Sequence, residues 1–303
     1  MSELEEYIEY LRSRNRTDRT LENKRKVLKA ILGYLKDHGR HYSAYDIDAD
    51  DVRYYLNTAK VKEGTKKVYT RDLGLFIKYH TGTDVVQDMH LLWNRTEHSR
   101  LFISKEDMIK VYKVAEPRAR LVIVLGAFMG LRTIEMERMK WTDITLDHIT
   151  IRGKGHNTGL IMDQPMSEIV FEELMEYKTW FTKLVTENGY QDMTGGHVFF
   201  VYDKANKVLN PMTEGNLRIN KLVVRAGKKA DVNITPHSLR RLYATTLYYE
   251  HKLDAVTLRT LMRHASITTT YNNYIAPFDA KKREITNVLD NSMKGAFKEL
   301  RYV

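Results

Sequence analysis

The chain has 303 residues, a formal net charge of +10, 43% hydrophobic and 29% charged residues, and no cysteine. Lack of cysteine excludes disulfides, thiolate chemistry and a cysteine-based metal site, and no apolar run approaches the ~20 residues that span a bilayer. The basic excess favours a polyanionic partner, nucleic acid ahead of a membrane surface, because Lys and Arg that neutralise phosphates release counterions.

The length suggests two domains, since single cores stop growing efficiently near this size. The N-terminal MSELEEYIEY is acidic and lacks an apolar stretch, so no secretory signal is expected and the reading is cytoplasmic, on the nucleoid or in a host cytoplasm. No HxxxH or HxH pair occurs, and no metal or other cofactor is expected.

Residues 1 to about 90 read as helices. Leu4, Tyr7, Ile8 and Leu11 share one helical face. A second helix, capped by Asp18 or Thr20, carries Val27, Leu28, Ile31, Leu32 and Leu35 and stops near Gly39. A third begins around Asp48–Asp51 with Val52, Tyr55 and Leu56 inward, and a fourth near Thr65 with Val68, Leu75, Phe76 and Tyr79 inward. Lys24, Arg25, Lys26, Lys29, Lys66, Lys67 and Arg71 fall on the outer faces. Such faces are either a solvated surface or a bundle laid along a duplex, and Tyr69 beside Lys66 and Lys67 favours the second.

Residues 91 to 103 break the periodicity and read as a linker. Ser104 opens a new helix with the capping signature S-K-E-D. RLVIVLGAFMG, 120–130, is too apolar for a surface helix and reads as buried. Ile144, Ile149, Ile151 and Ile161 mark two or three short antiparallel strands with a turn at Gly153–Gly159. Residues 166 to 188 return to helix, HVFFVYD (197–203) reads as a short strand, and the remainder reads as helical.

Four local stretches carry chemistry. MGLRTIEMERMKW (129–141) puts Arg132 just after Gly130, at the end of an apolar segment. A half-buried arginine must be paired, and alone this reads as a structural salt bridge to Glu135. RGKGHN (152–157) holds Lys154 between glycines at the tip of the hairpin; alone it is an ordinary polar turn. TPHSLRRLYAT (235–245) is the strongest signal. Pro236 suits a first helical turn, which places His237 and Arg240 three apart near a helix N-terminus, where anions are attracted. An arginine fork fits phosphate oxygens, and a histidine there can hydrogen-bond phosphate or relay a proton. RHASITTTYNNYIAP (263–277) adds His264 and two tyrosines, Tyr271 and Tyr274.

GLRxxE, a GKG hairpin, PHxLR, and a histidine followed by Ser/Thr-rich residues and a tyrosine occur in one order across a basic chain. In this the chain resembles the tyrosine recombinases of the phage-integrase and Xer type, over nearly its whole length. The resemblance implies a mainly α (α+β) fold: a helical core-binding domain over residues 1–95, then a mostly helical catalytic domain over 96–303 with a small antiparallel sheet. It implies site-specific cleavage and rejoining of double-stranded DNA through a covalent 3′-phosphotyrosine, without metal or ATP, by a homo-tetramer on two DNA sites. Arg132 and Arg240 would grip the non-bridging oxygens, Lys154 would protonate the leaving 5′-oxygen, His237 would act as acid, base or donor, and His264 would orient the phosphate. The amphipathic stretch 284–300 would dock on a neighbouring protomer or, equally, on its own domain.

Two departures stand out. Met262–Arg263 occupies the place where the family usually has Leu-Gly, and Asn273 falls where counting from His264 puts the nucleophile. Asparagine cannot attack a phosphate. A one-residue bulge in Thr268–Asn273 would bring Tyr274 to that place, so Tyr274 is the expected nucleophile, whereas Tyr271 would need the segment shortened. Two rival readings stay open: a catalytically silent DNA-binding protein on the same fold, which Asn273 supports, and a type IB topoisomerase-like relaxase built from similar residues.

Overall fold

Side-chain caps decide where the first helices begin. In the computed structural model, helix α1 spans Glu3–Ser13 behind Ser2, whose hydroxyl accepts the Glu5 N–H. Helix α2 spans Asp18–Asp37 behind Thr17, whose hydroxyl accepts the Thr20 N–H. The cap is therefore Thr17, one residue before the earlier of the two expected candidates. Helix α3 (Ala49–Thr58) starts with a full capping box between Asp48 and Asp51. Helices α4 (Glu63–Thr81) and α5 (Val85–Asp88) follow.

The structure describes residues 2–89, 102–153, 161–212 and 218–274, the last four by their backbone alone. The 91–103 linker falls mostly outside these residues; Lys154 and the 284–300 stretch fall wholly outside them. The chain divides into two compact units, Met1–Arg100 and Leu101–Val303.

The first unit is a helical bundle around Tyr7, Leu28, Ile31, Leu35, Val52, Tyr55, Leu73, Phe76 and Ile77. Most of the expected inward residues are there, but Val68 and Leu75 are each 43% exposed. The inner face of α4 instead runs through Thr70, Leu73, Gly74 and Ile77. Asp72 is also buried there and pairs with Lys24 of α2. A polar residue can sit in that core because its partner is supplied across the bundle.

In the second unit, Ser104 caps α6 (Lys105–Val114) by accepting the Asp107 N–H. Helix α7 (Pro117–Phe128) is the hub. It is buried on every side, as its unbroken apolar run requires, and packs against α9 (Glu168–Thr186), α10 (Arg218–Lys229) and α11 (Pro236–Thr245). Strands β1 (His148–Arg152) and β2 (Ile161–Pro165) pair antiparallel, with Arg152 opposite Ile161. A second small sheet has the order β3–β5–β4, from Gln191–Asp192, Val208–Pro211 and Phe200–Asp203. The expected small antiparallel sheet is β1–β2; the second sheet adds a parallel pair, since β3 runs parallel to β5. The two-residue β3 is too short to leave an alternating pattern, and β5 falls in a stretch read as helix.

After α11 the chain makes a π-helical turn (Thr246–Glu250), then α12 (Ala255–Leu261) and α13 (Ile267–Tyr274). Helix α13 is regular over residues where a one-residue bulge was expected. Among the described residues no helix is long and apolar enough to cross a membrane.

Candidate active site

The site is assembled at the end of α7. Gly130 stops that helix with φ +60°, and the Leu131 N–H returns to the Leu125 carbonyl at 3.2 Å. The left-handed glycine ends the helix and turns the chain so that this N–H caps a carbonyl of its last turns. A Cβ on Gly130 would lie 2.5 Å from Tyr243 Cδ1, and one on Gly126 would lie 2.9 Å from Leu239 Cβ. Two absent side chains therefore let α11 lie close against the end of α7. That approach carries Arg240 to the Gly130 carbonyl.

Helix α11 begins where the sequence indicates. Thr235 caps it, Pro236 is the first helical residue, and Ser238 completes the box. His237 is exposed on the first turn, while Arg240 is 1% exposed. The Arg240 guanidinium donates to the carbonyls of Gly130 and Met262, and its Nη2 lies 3.2 Å from His264 Nε2. An arginine has no acceptor, so the imidazole accepts there. Its other nitrogen, 2.7 Å from Thr270 Oγ1, then carries the proton. Burial, and after it the charges of Arg240, Arg132 and Arg263, push His264 down to a pKa of about 3. His264 is a neutral ring that accepts from Arg240, one of the two arginines expected to grip the phosphate that His264 was expected to orient.

Arg132 precedes helix α8 (Thr133–Arg138). It donates to Glu135 Oε1 at 2.7 Å and to the carbonyls of Met262 and Arg263 at 3.1 and 2.8 Å. The salt bridge to Glu135 is present, and the same guanidinium also reaches the turn that carries His264. The Met262 carbonyl accepts from both Arg132 and Arg240, so the two cations share one acceptor. His237 lies close enough to Arg240, Arg241 and Arg132 for their charges to act on it. Loss of surrounding water, then those charges, lower its pKa from the ordinary imidazole value.

Glu135 is the counter-charge. Its burial alone would raise its pKa, but Arg263, the Arg132 backbone N–H and Arg240 hold it low. Arg263 donates to both its oxygens, at 3.1 and 2.8 Å. Three guanidiniums against one carboxylate leave an excess positive charge, which suits a phosphate diester.

Lys154 lies outside the described residues, but the base of its hairpin is described. Arg138 donates to the Gly153 carbonyl at 2.7 Å, and Arg152 pairs with the buried Asp143 at 2.6 Å. The α13 backbone places Tyr274 one turn beyond Thr270, on the face that Thr270 turns toward His264. Tyr271 is about 100° away around the helix. Thus the structure brings together Arg132, Arg240 and His264, sets His237 beside them, and places Tyr274 on the helix whose Thr270 contacts His264.

Arg263 and Thr270 were not picked out from the sequence. The signal for Arg263 was its departure from the usual Leu-Gly, and Thr270 was hidden in a polar run. One trio with metal-ligand spacing occurs among the described residues, His41, Asp48 and Asp51. Asp48 caps α3 and Asp51 accepts from His41, so the cap accounts for it.

Residues 101–281 match the model of the phage integrase family. The chain belongs to that family. It is 28% identical over 195 residues to the tyrosine recombinase XerA of Pyrococcus furiosus, covering 62% of this chain and 61% of that protein. XerA of Pyrococcus horikoshii is 27% identical and is covered over 54% of its length, so these archaeal matches span less than two thirds of their relatives. The tyrosine recombinase XerC of Bacillus pumilus is 22% identical over 87% of this chain and 88% of its own length. Among solved structures, a lambda integrase dimer bound to a COC′ core site superposes with a TM-score of 0.65 at 19% identity, covering 90% of this chain and 76% of that one. The XerH recombinase bound to its difH substrate gives 0.62 at 22% identity, over 94% and 83%. These likenesses establish the integrase fold.

Proposed function

We propose that this integrase-family protein is a site-specific DNA recombinase that cleaves and rejoins strands through a 3′-phosphotyrosine link. The convergence of Arg132 and Arg240 on the Met262 carbonyl carries the reading. Two fixed cations at one place stabilise a pentavalent phosphate without reorganising during reaction.

In this reading the Tyr274 oxygen attacks phosphorus and gives its proton to neutral His237. The bond from phosphorus to the 5′-oxygen breaks, and Lys154 protonates that oxygen. The 5′-hydroxyl of a partner strand then reverses the steps and frees the tyrosine. His264 acts by holding Arg240. The bond energy is kept in the phosphotyrosine, so the residues named suffice for the reaction.

Residues 1–95 would serve as the core-binding domain and 96–303 as the catalytic domain, on double-stranded DNA in the cytoplasm. Assembly of four copies on two sites is supported by the fold shared with lambda integrase, of which a tetramer bound to a Holliday junction is known.

The test uses a nicked suicide duplex of the protein's own site, which traps the enzyme after one cleavage. Recombinase activity gives a covalent protein–DNA adduct. A mobility shift without adduct would make the protein a silent DNA binder and overturn the proposal.

A further inference from the structure

The residue before His264 is an arginine held in a left-handed backbone conformation, φ +54°. Glycine adopts that conformation freely, whereas a residue with a side chain is strained there. The strain persists because the side chain is tied down. It is 3% exposed and donates to Glu135 Oε1 and Oε2, Gln164, and the carbonyls of Leu261 and Gly130. An arginine has five N–H donors, and these five bonds use all of them.

Arg263 therefore has no donor left for a substrate, unlike Arg132. Arg132 donates through Nη1 to Glu135 and through Nη2 to two carbonyls. That leaves its Nε–H and one Nη1–H without a partner among the described residues. Both arginines draw on Glu135, which also accepts the Arg132 backbone N–H at 2.8 Å. Without Arg263, one buried carboxylate would be left to Arg132, with Arg240 4.0 Å away. Its attraction would then compete with the phosphate for both.

We infer that Arg263 is a positioning residue of the phosphate site: it satisfies Glu135 and the Gly130 carbonyl, and so leaves Arg132 available to the scissile phosphate. The inference rests on the recombinase reading. Gln164 belongs to the device, since its amide also donates to the Met129 carbonyl at 2.7 Å and so ties strand β2 to the stop of α7.

The test measures single-turnover adduct formation on the suicide duplex for wild type, R263G, R263K and the double variant E135Q/R263G, with duplex affinity and Tm alongside. R263G relieves the backbone strain while removing the guanidinium. It is expected to bind duplex as wild type does and to cleave about 100-fold more slowly, the scale of a misplaced catalytic group. E135Q/R263G is expected to regain about tenfold, because the unpaired carboxylate is gone. A residue that served folding alone would lower Tm and binding, and the double variant would restore nothing. A wild-type cleavage rate in R263G, or a loss that E135Q/R263G leaves unchanged, overturns the inference. Should R263G not fold, R263K decides: slowed cleavage at unchanged affinity supports the inference, and a wild-type rate overturns it. Absence of adduct with wild type removes the recombinase reading and this inference with it. Adduct with wild type and R263G alike removes only the inference.

Discussion

The imidazole of His264 accepts a hydrogen bond from the guanidinium of Arg240, Nη2 to Nε2 3.2 Å apart. A protonated imidazole could not accept there, so this contact needs a neutral ring. Folded His264 stays neutral down to about pH 3, while an unfolded histidine titrates near pH ~6.5. Between those values the unfolded chain binds a proton that the folded chain does not. Stability from this group is therefore fully present above pH ~6.5 and is lost as pH falls, by about 1.4 kcal/mol per unit. Acidification from pH 7 to 5 should lower stability by roughly 2 kcal/mol through His264. Chemical denaturation at both pH values checks it, with H264Q expected to show the shallower slope. Equal slopes would contradict the neutral ring.

Thr270 fixes which nitrogen carries the proton. It is fully buried and accepts from His264 Nδ1. T270V keeps the shape but removes that acceptor from a buried N–H, which costs about 1–3 kcal/mol. We expect a lower Tm together with slower adduct formation, since the ring no longer holds Arg240. An unchanged Tm would show that the bond contributes nothing.

Arg132 and Arg240 should separate by stability. R132A and R240A are each expected to slow cleavage about 100- to 1,000-fold, as for loss of one preorganised donor. Arg132 is 25% exposed and Arg240 1%. R240A also removes a fully buried cation 4.0 Å from Glu135 and one of the two donors to each of the carbonyls of Gly130 and Met262, so it should destabilise the fold by about 3–5 kcal/mol, whereas R132A should leave Tm nearly unchanged. Normal cleavage by either variant would remove it from the site.

These contrasts bear on what the sequence can say. Caps and apolar faces were legible because they are local: Ser104, Asp48 and Pro236 start helices as their positions indicate. The face of α4 was misplaced because Asp72 is paired by Lys24, 48 residues away. Arg132, His237 and Arg240 were legible as motif residues. Arg263 was not, since its acceptors on Glu135 and Gln164 lie 128 and 99 residues distant. Such contacts exist only once α7, α8, β2 and the α12–α13 turn have been brought together.

Binding to duplex DNA should depend steeply on salt. Several expected DNA-facing cations are already engaged, Lys24 with Asp72, Arg25 with Glu5 and Lys66 with the Leu56 carbonyl. Lys29 and Lys67 remain exposed, as does Arg71, whose guanidinium lies 3.6 Å from Asp72. Each phosphate contact contributes ~0.9 to the log–log slope, so K67A and R71A should each reduce it by about 1. Affinity titrations across salt concentrations test this, and unchanged slopes would take α4 off the DNA.

Tyr274, one turn along α13 from Thr270, is the proposed nucleophile. The most direct measurement compares covalent adduct on the suicide duplex for wild type, Y274F and Y271F. Adduct is expected with wild type and Y271F and not with Y274F, while all three bind the duplex. Adduct with Y274F and none with Y271F would contradict it and make Tyr271 the nucleophile.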